Sequence, residues 1–190
     1  MTILLLGLVV FLGAHAVRIV APSARDALAA RLGAMPFRAL YSLVSLVGLV
    51  LIVVGYGAAR EAPVPLWDPP VFTRHLAATL MIFVFPLLFA AYLPGRISRA
   101  TKHPMLAAVK IWAFAHLIAN GTLADVVLFG SFLAWAVAAR ISAKRHPRPA
   151  VVTAPPRAAN DAIAVIAGLV VYALFVTVLH LWLIGVAPLG

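Results

Sequence analysis

Long uncharged apolar runs recur along this chain, and nothing else in it restricts the fold so strongly. Clear runs lie at 2-20, 37-57, 75-93 and 162-186, each of about 17–25 residues, the length a helix needs to cross a hydrocarbon core. A further apolar stretch, 104-139, is too long for one crossing. Asn120-Gly121 supplies a turn inside it, and Thr122 with Asp125 three residues on forms a capping pair that restarts a helix. Two shorter spans, 104-119 and 123-139, follow from that division. The expectation is an all-α polytopic helix bundle of six spans forming one membrane domain over 1-190.

Composition agrees. Hydrophobic residues make up 65% of the chain and charged residues 11%, with a mean hydropathy of +1.09, which is too apolar for a soluble domain. The formal charge of +10 does not point to nucleic acid, because no compact basic face or recognition motif accompanies it. With no cysteine, disulfides, thiolate ligands and covalent haem attachment are excluded. Ala14-His15-Ala16 has the outline of a signal-peptidase site, but no positive residues precede the run, so the first span is expected to be retained.

Basic residues separate the loops into two kinds. Arg18, Arg25, Arg31 and Arg38 flank the first loop, Arg96, Arg99 and Lys102 occupy the third, and Arg140, Lys144, Arg145, Arg148 and Arg157 the fifth, twelve of the 15 Lys and Arg. In the second loop Arg60 and Arg74 are offset by Glu61 and Asp68, and the fourth has no basic residue. Positive loops stay in the cytoplasm, so six spans with both termini outside, in a bacterial inner membrane, fit the pattern. The fifth loop, 141-161, holds four prolines and reads as a flexible basic cytoplasmic tether. Ser45, Gly48 and Gly55 in the second span read as a close-packing face.

Ionisable side chains inside a membrane are costly and are the first place to look for function. Six histidines meet that description in different degrees. His15 falls in the first span, His75 opens the third, His116 lies in the fourth and His180 in the sixth. His103 stands at the entry to the fourth span and His146 in the tether, where it is expected to be solvated. Lys102-His103-Pro104 starts the fourth span, with proline in the first turn where its missing donor is not needed. Helical spacing then lines up Met105, Val109, Trp112, His116 and Asn120, a wall suited to a planar ligand. Val165, Leu169, Tyr172, Val176 and His180 form a comparable stripe in the sixth span. Lys110 is close enough to the span's end to snorkel to the headgroups, and Asp125 reads as a cap. Two axial imidazoles from different helices hold a b-type haem without cysteine; zinc, copper or a proton relay are the alternatives for the same side chains. No H-E-x-x-H, P-loop or dinucleotide fingerprint occurs.

Lys102-His103-Pro104-Met105-Leu106, followed by Val109-Lys110, Trp112, Ala115-His116-Leu117 and Ala119-Asn120-Gly121, resembles the NnrU family of bacterial membrane proteins. Gly13-Ala14-His15 with Arg18, and Arg38-Tyr41-Ser42, extend the resemblance over nearly the whole chain. It implies a place beside denitrification genes and a role in nitrite and nitric oxide metabolism, either as a haem b protein acting on a lipophilic or small gaseous ligand or as a non-catalytic accessory protein. The family is also similar to 15-cis-zeta-carotene isomerase, a membrane haem b enzyme. That likeness implies haem ligation by His116 and His15, with Ala113 standing where the isomerase has a cysteine. A distant likeness of Lys102-His103-Pro104 to membrane methyltransferases that bind S-adenosylmethionine is not continued by an acidic segment after the following hairpin, at Ala143 to Pro147.

Overall fold

A computed structural model describes residues 1–145 and 154–189, and every regular element among them is helical. In chain order these are α1 (Thr2–Val20), α2 (Pro22–Leu32), α3 (Ala34–Glu61), α4 (Val71–Met81), α5 (Val84–Ala90), α6 (Arg96–Thr101), α7 (Pro104–Ala119), α8 (Leu123–Arg145), α9 (Asn160–Leu174), a π-helical turn over Phe175–Leu179, and α10 (His180–Ile184). Five helical segments, Thr2–Val20, Ala34–Glu61, Val71–Ala90, Leu123–Arg145 and Asn160–Ile184, are long and apolar enough to cross a membrane. The apolar α7 has 16 residues, about 24 Å at the helical rise, somewhat short of a full crossing. Large side chains such as Leu6, Val9, Val53 and Trp182 face outward, as a lipid surface requires and water does not allow.

Neighbours in space form a row, α3–α1–α8–α7–α5–α9, in which α1 with α3, α7 with α8, and α5 with α9 are the tightest pairs. The α1–α3 contact is close because small residues let the backbones meet. A Cβ on Gly48 would stand 2.7 Å from the Phe11 backbone nitrogen, and one on Gly55 would overlap the Leu4 backbone. The core belongs to α1, α3, α7 and α8, with Leu4, Leu8, Ile52, Ala59, Ala113, Ala124, Leu128 and Phe129 buried.

Two breaks interrupt the long segments. The span from Val71 to Ala90 is pinched at Ile82 and Phe83, whose amides bond three residues back, to Thr79 and Leu80. Pro86 explains it, since it has no N–H to return to Ile82 and its ring crowds that carbonyl; the pinched face packs on Gly168 of α9. The second break is the π turn just before His180.

The connections hold more structure than their composition suggests. The first loop contains α2, begun by Pro22 and stopped by Gly33 at φ +83°, a conformation that suits glycine. In the third loop α6 is capped from a distance. Its Arg96 and Ile97 amides donate to the Asp161 carboxylate at 2.8 and 3.0 Å, and Asn160 Nδ2 donates to the Pro94 and Pro155 carbonyls. Within the expected tether at 141-161, Ile141–Arg145 continues α8, with no breaker before Pro147, and Ala154 to Asp161 is tied to the corner around Tyr92 to Ile97. Residues 146–153, with His146 among them, lie outside the described residues. The Asn120-Gly121 turn falls between α7 and α8 as expected, and the Gly121 carbonyl accepts from Leu66 and Trp67 of the second loop. A Cβ at Gly121 would collide with the Trp67 carbonyl.

Candidate functional site

The site begins at a strained entry to α7. α6 stops at Thr101, Lys102 takes φ +61°, a left-handed conformation that costs a non-glycine residue energy, and His103 is drawn out of the helical region because Pro104 follows it. Burial, and after it the charge of Arg140, holds the His103 imidazole below its ordinary pKa. From here α7 presents Trp112 and His116 one turn apart, with ring centroids 5.4 Å from each other. Asn120 Nδ2 donates to the His116 carbonyl. Trp112, His116 and Asn120 of the stripe read from spacing thus follow one another along α7.

His116 Nδ1 lies 2.8 Å from the Trp112 carbonyl oxygen. A carbonyl only accepts, so Nδ1 carries the proton and the Nε2 lone pair is left for another partner. His15 makes the same bond to the Phe11 carbonyl at 2.7 Å, and His180 to the Val186 carbonyl at 2.7 Å. Metal-binding histidines are oriented by this device.

Aromatic rings enclose His116. Phe129 of α8 stacks on it at 4.7 Å, and Trp112 meets Phe129 and Phe132 edge-on at 5.1 and 5.3 Å. Behind Phe129 stands Tyr56 of α3, whose hydroxyl donates to Asp125 Oδ1 at 2.6 Å. The other carboxylate oxygen accepts from the Thr122 amide and hydroxyl, and the Asp125 amide donates back to the Thr122 hydroxyl. Asp125 is a cap, as its spacing predicts, and it is also the buried end of a link between helices. Sequence reasoning missed Tyr56. The available signal was physical: a carboxylate buried in a membrane segment needs a donor on another span, and Tyr56 stands at the matching end of its own.

The two histidines selected by resemblance occupy different aromatic clusters. His15 stacks on Phe11 at 4.3 Å and lies 5.3 Å from Tyr41 and 5.8 Å from Trp135. Trp135 and Phe129, their respective neighbours on α8, are six residues apart in sequence, about 9 Å along the helix. Phe11, Phe132 and Trp112 form a chain of ring contacts between the two clusters. Trp135 Nε1 is a buried donor with no acceptor among the described residues. His180, immediately after the π turn, is close enough to His116 for their charges to interact. The Tyr172 hydroxyl donates to the Ala78 carbonyl of α4, whereas His180 bonds to the Val186 carbonyl. His75 is exposed near the start of α4.

The donor set can be matched to cofactors. Among the described residues no three His, Asp or Glu side chains gather as a metal site, which does not suit zinc held by protein ligands alone. A b-type haem needs only two imidazole nitrogens. His116 and His180, each with Nδ1 tied to a carbonyl, fit that requirement in donor chemistry, as does His15 beside His116; of the two partners, His180 is the one whose charge acts on His116. The model of the family described as NnrU protein matches residues 3–188. Searches of curated proteins and of solved structures give no match.

Proposed function

The chain belongs to the NnrU family, and on that premise we propose a six-span protein of the bacterial inner membrane that holds haem b through His116 and His180 and serves nitrite and nitric oxide metabolism. The observation that carries this reading is the shared state of the two imidazoles: Nδ1–H is fixed on a carbonyl in each, so each offers Nε2. Six crossings, with both termini outside, follow if α7 counts as a short span, and then every strongly basic connection lies on one face. Haem held by both imidazoles would supply a centre for electron exchange, and a small gaseous ligand would have to displace one of them. Trp112 and Phe129 would line its flank and keep water from it. The π turn sets the direction in which His180 leaves its helix, a common use of such bulges at functional sites.

Purification in detergent from haem-replete cells, with an absorption spectrum, tests it. A Soret band should be present in the wild type and in His15→Ala, and should be lost or shifted in His116→Ala and in His180→Ala. Folded, monodisperse protein without the band would overturn the haem reading.

The ring contacts favour a second reading. Each histidine is already satisfied by a carbonyl of its own chain, and His15 and His116 are also stacked on phenylalanine, which is what packing groups in an accessory protein for respiratory nitrogen-oxide enzymes need. In that case His116→Ala lowers the melting temperature and leaves the spectrum unchanged.

A further inference from the structure

α2 lies across one end of the α1–α3 pair, and together with α3 it encloses a cleft of about 300 Å³. Arg25 and Ala29 of α2 form one side, and Ala34, Phe37, Arg38, Tyr41 and Ser42 of α3 the other. The Arg25 guanidinium rests 5.0 Å above the Phe37 ring and bonds Asp26 at 2.8 Å. The Asp26 carboxylate is mostly exposed, at 60%, so it offsets little of the charge inside. Arg38 is exposed and makes no hydrogen bond or ion pair among the described residues. Arg18 adds a third positive charge within range of Tyr41. Two guanidiniums and two hydroxyls thus line one cleft, with apolar Ala29, Ala34 and Phe37 beside them.

We propose that this cleft binds a phosphate ester, presented as the headgroup of an anionic phospholipid. Guanidinium pairs with phosphate in a bidentate, charge-assisted geometry, and Tyr41 and Ser42 can donate to the remaining oxygens. The position suits a lipid source. α1 and α3 are both long enough to cross a bilayer, so a cleft at their shared end lies at headgroup depth, and the apolar wall meets the glycerol and the first methylenes. Basic residues at that depth attract anionic lipid. This proposal stands independently of haem.

The full chain in a zwitterionic detergent would be titrated by calorimetry with dihexanoyl phosphatidylglycerol, with dihexanoyl phosphatidylcholine and with inorganic phosphate. Saturable binding of phosphatidylglycerol, weakened about tenfold by Arg38→Gln or Arg25→Gln and absent with phosphatidylcholine, is the expected result. Saturable binding of inorganic phosphate at equal affinity, with the same loss in both variants, would support the phosphate site and assign it to the free ion. Equal binding of the two lipids, or binding unchanged in an Arg25→Gln/Arg38→Gln double variant, would overturn it. Tyr41→Phe keeps the ring and removes one donor, so it gives a smaller loss and guards against an arginine variant that fails to fold; its melting curve should match the wild type.

Discussion

At the scale of single residues, Asp125 shows how a charged group is accommodated in a membrane bundle. It is 5% exposed, and donors from Tyr56 and Thr122 reach both of its oxygens. Removing the Tyr56 hydroxyl leaves a buried acceptor short of one partner, so Tyr56→Phe should cost about 1–3 kcal/mol and lower the melting temperature in detergent; an unchanged melt would mean that the bond contributes nothing. In an Asp125→Asn background the same substitution should cost less, because the charge that strengthens the bond is gone. Thr122 and Asp125 were legible in the sequence because a cap is local, three residues wide. Tyr56 was not, since its partner is 69 positions away and only the fold sets two spans at one depth. The histidines divide in the same way. The Trp112–His116 alignment follows from helical spacing alone, whereas the approach of His180 to His116 depends on how α9 and α10 pack and on the π turn.

At the scale of elements, apolar runs and turn residues located the spans, and side-chain volume explains how they fit. Gly48 and Gly55 form the face on which α1 lies, as their spacing suggests. Replacing Gly55 by valine would force the α1 and α3 backbones apart near Leu4, with a loss of about 1–3 kcal/mol or more; Gly57, open to space, should accept valine nearly unchanged. Comparing the two melting temperatures in detergent checks this, and equal behaviour would remove the close-packing account. α2 escaped the sequence reading because its 11 residues carry no apolar stripe, so periodicity had nothing to register. The pinch at Ile82 was foreshadowed by Pro86, but a proline in a membrane span is tolerated often enough that its effect had to be seen in place. The far end of the expected tether is bonded because Asn160 and Asp161 find carbonyls and amides on the α6 corner, a pairing that low apolar content and prolines conceal.

For the whole molecule, six crossings require the α7–α8 hairpin to pass through the bilayer despite the shortness of α7. Reporter fusions decide it. A reporter that is active only outside the inner membrane should be active after residue 189 and in the second loop, and a cytoplasmic reporter should be active in the third loop and after Arg145. If the reporter after residue 189 works only in the cytoplasm, the number of crossings is odd and α7 does not span. Loop charge gives the expectation of six crossings, because the rule acts on sequence directly. The order of helices in the row was not legible, since six apolar helices offer similar surfaces and their matching depends on a few small residues.

That row has a consequence for how the chain is made. α1 finds α3, and α7 finds α8, almost as soon as each pair leaves the ribosome, but the strongest partner of α5 is α9, which is synthesised only after α8. Until then the Pro86 pinch, which receives Gly168, has nothing to fill it. The bundle therefore closes late, around its last long helix, and a chain interrupted after Arg145 would hold its first two pairs while α5, packed on α7, lacked its second neighbour.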